Sequence, residues 1–259
     1  PLALVKRAHT NPLKITLITG ASLGNDLDKQ LTEAGVLARR LPFQVDNTLR
    51  KAINNGEVMF IDQHLSETVE QMRNNTLKRP DIAIVEAVAI TEDSLIIPTT
   101  SVGNSASFVE YADKVIIEIN TTVSTEFEGL HDIYIPEARP TRGPVPLTHV
   151  DQRIGTKGIQ LDPAKVVGIV FNDTLLDSPS NVTDPDDETQ AIADHLIAFF
   201  ENEVAQGRLP KNLAPLQAGI GSIANAVLTG FKHSNFEDLV MYSEVLQDCT
   251  FELIDAGKM

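Results

Sequence analysis

An α/β fold, with helices on the faces of a parallel or mixed sheet, is the class this sequence predicts. Three observations carry it. Short β-branched runs recur along the first two thirds of the chain, helical patterns separate them, and glycine or small-residue breaks close the units. Hydrophobic residues make up 42% of the 259 positions and charged residues 22%, enough for a sizeable core.

Taken in order, Lys14–Thr19 reads as a strand and Gly20-Ala21-Ser22 as a tight turn before a helix over Leu27–Ala34. That unit places ligands at the carboxyl ends of parallel strands. Ser22 sits at such an end, where its ordinary role is to cap the next helix. Leu49–Asn54 is helical and ends at Gly56; Val58–Ile61 is the next strand and Glu67–Met72 the next helix. Pro80 precedes Ile82–Val85, the strongest buried strand in the sequence. Glu86 interrupts it and has two readings, a functional carboxylate or a partner for an arginine, of which pairing is the expected one.

Leu95–Pro98 leads into a hydroxyl-rich turn, Thr99–Asn104, that opens a helix, and Val115–Ile119 is another β-branched strand. Prolines and glycines between Pro136 and Pro163 prevent long regular elements. Val166–Phe171 supplies one more strand. Asp184 before Pro185 is expected to start a helix, with Asp186, Asp187 and Glu188 favourable at its positive end. Ile192, Leu196, Phe199 and Phe200 then recur at helical spacing as a core stripe, and Gly207 ends the helix. The expected organisation is a first domain over 1–177, a connector and bridging helix over 178–210, and the start of a second domain over 211–259.

Composition narrows the function classes. A net charge of −15 argues against a nucleic-acid or anionic-membrane surface. One cysteine excludes an internal disulfide framework and a cysteine-based zinc cluster. No apolar run reaches membrane-spanning length. The histidines lack metal-ligand spacing, so no metal site is expected. The GxSxG elbow of serine hydrolases is absent.

Chemistry concentrates in Gln217–Asp248. Gly219 and Gly221 lack side chains, so backbone N–H groups there can approach a phosphate or an oxyanion closely. Val240–Leu246 reads as a mostly buried strand that carries Glu244 among apolar residues. A buried carboxylate must be paired, protonated or used, whereas on a half-buried strand it simply faces solvent; both readings stand. Gly219-x-Gly221-x-x-Ala224 also fits a relaxed dinucleotide fingerprint, which keeps an NAD-dependent oxidoreductase open. Against it, Pro210–Pro215 makes a poor approach strand, and Glu237 and Asp238 fall in a loop. Cys249 has no basic or histidine neighbour and is expected to be inert.

GIGSIANAV followed by YSEVLQD resembles the acetyl-CoA hydrolase/transferase family of class I CoA-transferases, which includes succinyl-CoA:acetate CoA-transferases. LITGAS, LRKAINNGE, IVEAVAITEDSLIIPTTSVGN, LHDIYIPE, RIGT, TQAIADHLIAFFENEV and GRLPKNL extend the resemblance over essentially the whole chain. Cys249 departs from it, standing where the family has a glycine. The resemblance implies a CoA-transferase-like fold, with more chain before Pro1 and a second half after Met259. It implies Glu244 as the nucleophile, with Ser22 in the active site. Gln217, Ala218, Gly219, Ile220, Gly221 and Asn225 are then coenzyme A contacts. Coenzyme A is a substrate and no cofactor is permanently bound. The expected partners are acyl-CoA and small carboxylates such as acetate and succinate, and the expected assembly is a homodimer in the cytoplasm, or in mitochondria if the source is a eukaryote. A non-catalytic CoA-binding fragment remains the further alternative.

Overall fold

The computed structural model describes residues 2–21, 26–173, 185–219 and 221–259. It divides into two compact units, one of Pro1–Leu147 with Arg153–Ser178 and one of Thr148–Gln152 with Pro179–Met259.

The first unit opens with helix α1 (Leu2–Thr10), strand β1 (Ile15–Ile18) and helix α2 (Leu27–Glu33). Strand β2 (Leu37–Leu41), helix α3 (Asn47–Asn54), strand β3 (Met59–Phe60) and helix α4 (Leu65–Arg73) follow. The three strands form a parallel sheet in the order β1-β2-β3. Leu31, Val36, Leu37, Leu49 and Val58 fill the core between this sheet and its helices. Asp46 starts α3 by accepting the Leu49 backbone N–H at 2.8 Å, as an N-cap aspartate does.

A second sheet takes strands β4 (Ile82–Ile90), β5 (Leu95–Pro98), β6 (Lys114–Asn120), β7 (Ile159–Gln160) and β8 (Val166–Asn172), with helix α5 (Ser105–Tyr111) packed against it. Its order is β7-β5-β4-β6-β8, parallel between β4, β6 and β8 and antiparallel at β5 and β7, so the sheet is mixed. Val85, Ala87, Val115 and Ile117 point to the buried face with α5. Ile82 and Ile84 are exposed, so the expected buried strand is buried on one face only. Glu86 continues the strand and pairs with no arginine among the described residues. Its carboxylate accepts hydrogen bonds from Thr99 Oγ1 (2.7 Å) and Asn120 Nδ2 (2.8 Å), because parallel pairing of β4 with β6 brings a neutral amide there.

Residues 136–158 form no helix or strand, as the prolines require. Other groups hold this stretch in place. The Asp132 carboxylate accepts the Ile154 and Gly155 N–H groups (3.0 and 2.7 Å), and a Cβ on Gly155 would lie 2.1 Å from the Ile133 carbonyl oxygen.

In the second unit, helices α6 (Asp187–Ala205), α7 (Ser222–Phe231) and α8 (Asp248–Asp255) surround one core. The expected bridging helix is α6, and it lies in this unit with Ile197 and Phe200 packed against the cluster of Leu228, Phe231, Phe236, Leu239 and Leu253. Asp186 caps it by accepting the Thr189 N–H at 2.8 Å, in place of Asp184, which lies outside the described residues.

Candidate functional site

The site is built from two segments of the second unit far apart in sequence. The first is the loop Gln217–Gly221 at the start of α7. Gly221 has φ +144° and ψ +167°, a combination open to glycine alone, and from it the chain enters the helix at Ser222. Gly219 has open space where a Cβ would stand. The loop can therefore come close to a ligand backbone-first, beside the positive end of α7. Asn225 lies in the second turn of that helix and Ile220 lies outside the described residues.

The second segment is 240–247. It forms no strand: its ladder is a single parallel bridge between Leu216 and Met241, with Leu216 N–H donating to Val240 O (2.7 Å) and Tyr242 N–H to Leu216 O (2.9 Å). Exposure still alternates residue by residue from Met241 to Leu246. That period of two is the signal that suggested a strand, but among the described residues the Leu216–Met241 bridge does not extend into a ladder. Glu244 falls on the exposed side and makes no hydrogen bond or ion pair among the described residues. The reading of a buried carboxylate is thereby corrected, and the charge is solvated and accessible.

Two side chains bring the segments together. Ser243 Oγ donates to the Ala218 carbonyl at 3.1 Å, and Gln247 Nε2 donates to the Gly219 carbonyl at 2.7 Å. One residue precedes Glu244 and the other follows it by three, so the glycine loop is fastened to the chain on either side of Glu244 in sequence. The sequence reading missed both tethers, although a polar Gln247 at the end of an apolar run was the available sign. A groove of about 510 Å³ runs along the loop, lined by Gln217, Ala218 and Gly219 with Leu196, Phe200, Ile223 and Val227. Its walls are mainly apolar and include the glycine-loop residues, a lining suited to the apolar part of a flexible ligand.

The other candidates resolve plainly. Cys249 is buried, and burial pushes its thiol pKa up, which leaves it a poor nucleophile near neutral pH. His131 is half-buried and its Nε2 lies 2.8 Å from the Pro98 carbonyl oxygen, a structural contact. Ser22 lies outside the described residues, but the turn leading to it is placed. Gly20 faces the Thr99–Asn104 turn, where a Cβ would stand 3.6 Å from Asn104 N. These two turns belong to the first unit and the glycine loop to the second. Among the described residues no group of three or more His, Cys, Asp or Glu side chains gathers as a metal site, and no helix is long and apolar enough to cross a membrane.

Residues 2–171 match the family model for the acetyl-CoA hydrolase/transferase N-terminal domain. The chain is 45% identical over 260 residues to the succinyl-CoA:acetate CoA-transferase of Clostridium kluyveri, covering all of this chain and 48% of that protein. It is 44% identical over 273 residues to the acetyl-CoA hydrolase of Schizosaccharomyces pombe, covering 51% of it. The chain thus spans about half the length of the curated relatives it matches. Among solved structures it resembles RipA from Yersinia pestis, with a TM-score of 0.63 at 17% identity over 99% of this chain and 52% of that one. It also resembles 4-hydroxybutyrate CoA-transferase from Porphyromonas gingivalis, with a TM-score of 0.53 at 16% identity over 98% of this chain and 56% of that one. At such identities the structural likeness shows the fold, a CoA-transferase-like α/β fold.

Proposed function

The chain belongs to the acetyl-CoA hydrolase/transferase family, and from that premise we propose that the protein it forms part of moves coenzyme A between small carboxylates, with Glu244 as nucleophile. The observation that carries this reading is the pair of hydrogen bonds fastening the glycine loop to the chain on either side, in sequence, of an accessible glutamate. An accessible carboxylate on a segment tethered to a glycine loop is the equipment proposed for covalent acyl transfer.

In the proposed cycle a Glu244 oxygen attacks the thioester carbonyl, and the carbon–sulfur bond breaks to release CoA thiolate. This leaves an acyl-glutamyl anhydride. The thiolate then attacks the glutamyl carbonyl, which expels the first carboxylate and forms a glutamyl-CoA thioester. A second carboxylate reverses both steps. Water reaching the same intermediates gives hydrolysis, so one site serves both reactions named for the relatives.

Loop residues Gln217–Gly221 are the proposed contacts for coenzyme A through their backbones, with Asn225 in the helix that follows; the apolar groove lined by this loop supports the reading. Ser22, which the family resemblance puts at the active site, is proposed as a further active-site hydroxyl. Acetyl-CoA, succinyl-CoA and acetate are the proposed substrates, supported by the relatives' names, and coenzyme A acts as a substrate and not as a resident cofactor. The proposal includes a homodimer in the cytoplasm, or in mitochondria in a eukaryote. The dinucleotide alternative loses support because Leu216 enters the loop through a single bridge and not through a buried strand.

The test is chemical. Full-length protein incubated with acyl-CoA gains a CoA adduct on the peptide containing Glu244, removed by adding a carboxylate acceptor. An adduct on Cys249 or Ser22, or none during turnover, refutes the mechanism.

A further inference from the structure

Resting on that mechanism, we infer that Gln247 is a positioning residue for the acyl transfer, its side-chain amide holding the glycine loop in register with Glu244. Gln247 lies 28 residues beyond Gly219 in sequence and is 8% exposed. Its Nε2 donates to the Gly219 carbonyl at 2.7 Å, shorter than the 3.1 Å bond by which Ser243 holds the Ala218 carbonyl. A peptide is planar, so holding the Ala218 carbonyl restrains the direction of the Gly219 N–H, and holding the Gly219 carbonyl restrains the loop one residue further on. No regular strand does this work, since a single bridge joins the two segments.

The chemistry of the amide separates positioning from packing. Gln247 Oε1 is buried and makes no hydrogen bond among the described residues. A buried acceptor without a partner is unfavourable, and an unbranched apolar side chain of similar length would fill the same space without it. Glutamine is therefore a poor choice for packing alone, and what it adds is the donor to Gly219.

The experiment compares Gln247→Met with the parent in the full-length protein. Methionine keeps length and flexibility and removes both the donor and the stranded acceptor. The melting temperature is expected to stay level or rise. Turnover is expected to fall on the order of 10², the scale of a reacting group displaced by about 1 Å. kcat and kcat/KM fall together while KM for acyl-CoA stays within about twofold, the pattern of an interaction that matters in the transition state. A folded Gln247→Met protein with parental kcat overturns the inference, and so does a loss confined to KM. If methionine prevents folding, Gln247→Glu decides: its ionised carboxylate cannot donate to Gly219, so parental turnover in that variant also overturns it. The glutamyl adduct separates the two levels. A parent that forms no adduct at Glu244 overturns the mechanism and the tether together, whereas a parental adduct formed equally fast in a folded Gln247 variant overturns the tether alone.

Discussion

Removing the carboxylate of Asp28 should be among the most damaging single changes in the first unit. Asp28 in the first turn of α2 and Arg40 in β2 are 2% and 0% exposed. Arg40 Nε and Nη2 donate to the two Asp28 oxygens at 2.8 and 3.2 Å, while Nη1 donates to Thr19 Oγ1 (2.9 Å) and to the Leu41 carbonyl (2.8 Å). Asp28→Ala takes away two of these four bonds and the paired negative charge, leaving a guanidinium buried with neutral acceptors only. Breaking a buried pair from one side costs about 3–5 kcal/mol, a large share of the roughly 5–15 kcal/mol that holds a typical domain folded. Replacing both partners, Asp28→Leu with Arg40→Met, removes the stranded charge and is expected to recover most of that loss. Because the chain has no tryptophan, the assay is hydrogen–deuterium exchange by peptide. Amides of β1, α2 and β2 should lose protection in Asp28→Ala while those of α7 serve as an internal reference. A single-variant loss below about 1 kcal/mol, or a double variant no more stable than the single, would refute the reasoning.

The glycine loop, the nucleophile, the cysteine and a helix cap give further expectations. Gly221→Ala forces a side chain onto φ +144° and should cost on the order of 1–3 kcal/mol, whereas Gly219→Ala meets open space and should leave the melting temperature unchanged while weakening coenzyme A binding in the full-length protein; the reverse pattern in a calorimeter contradicts the loop geometry. Glu244→Gln keeps shape and removes nucleophilic charge, so turnover and adduct should both vanish with the fold intact, and residual adduct seen by mass spectrometry would move the nucleophile elsewhere. Cys249, its thiol pushed up by burial, should react with iodoacetamide at pH 7.5 far more slowly in folded than in denatured protein; fast labelling of the folded protein contradicts its burial. The Asp186 carboxyl is held below its ordinary value by hydrogen bonds from Thr189. A depressed carboxyl contributes stability above its unfolded pKa of about 3.9 and loses it as pH falls through the lower folded value. Protection of α6 should therefore differ between parent and Asp186→Ala at neutral pH and converge in strong acid.

The sequence by itself determined the α/β class, most elements of the first unit and the glycine loop, because those depend on local chemistry. Period-two and period-3.6 apolar patterns, glycine breaks and proline-blocked stretches act within a few residues of themselves. β2 shows where that ends. Its Leu37-Ala38-Arg39-Arg40-Leu41 carries two arginines and was not read as a strand, yet Arg40 is fully buried because Asp28 waits for it twelve residues earlier. Glu86 was given an arginine on charge alone, and the fold supplied Thr99 and Asn120 instead. The helix α8 was hidden because the preceding run alternates like a strand. That run shows the limit most clearly. Alternation from Met241 to Leu246 is a local property and is present, but a strand also needs a neighbour, and among the described residues only the bridge at Leu216 is there. Residues separated by 25 and 28 positions meet through Ser243 and Gln247, and which polar group meets which carbonyl is settled by packing over that distance, where local pattern carries no information.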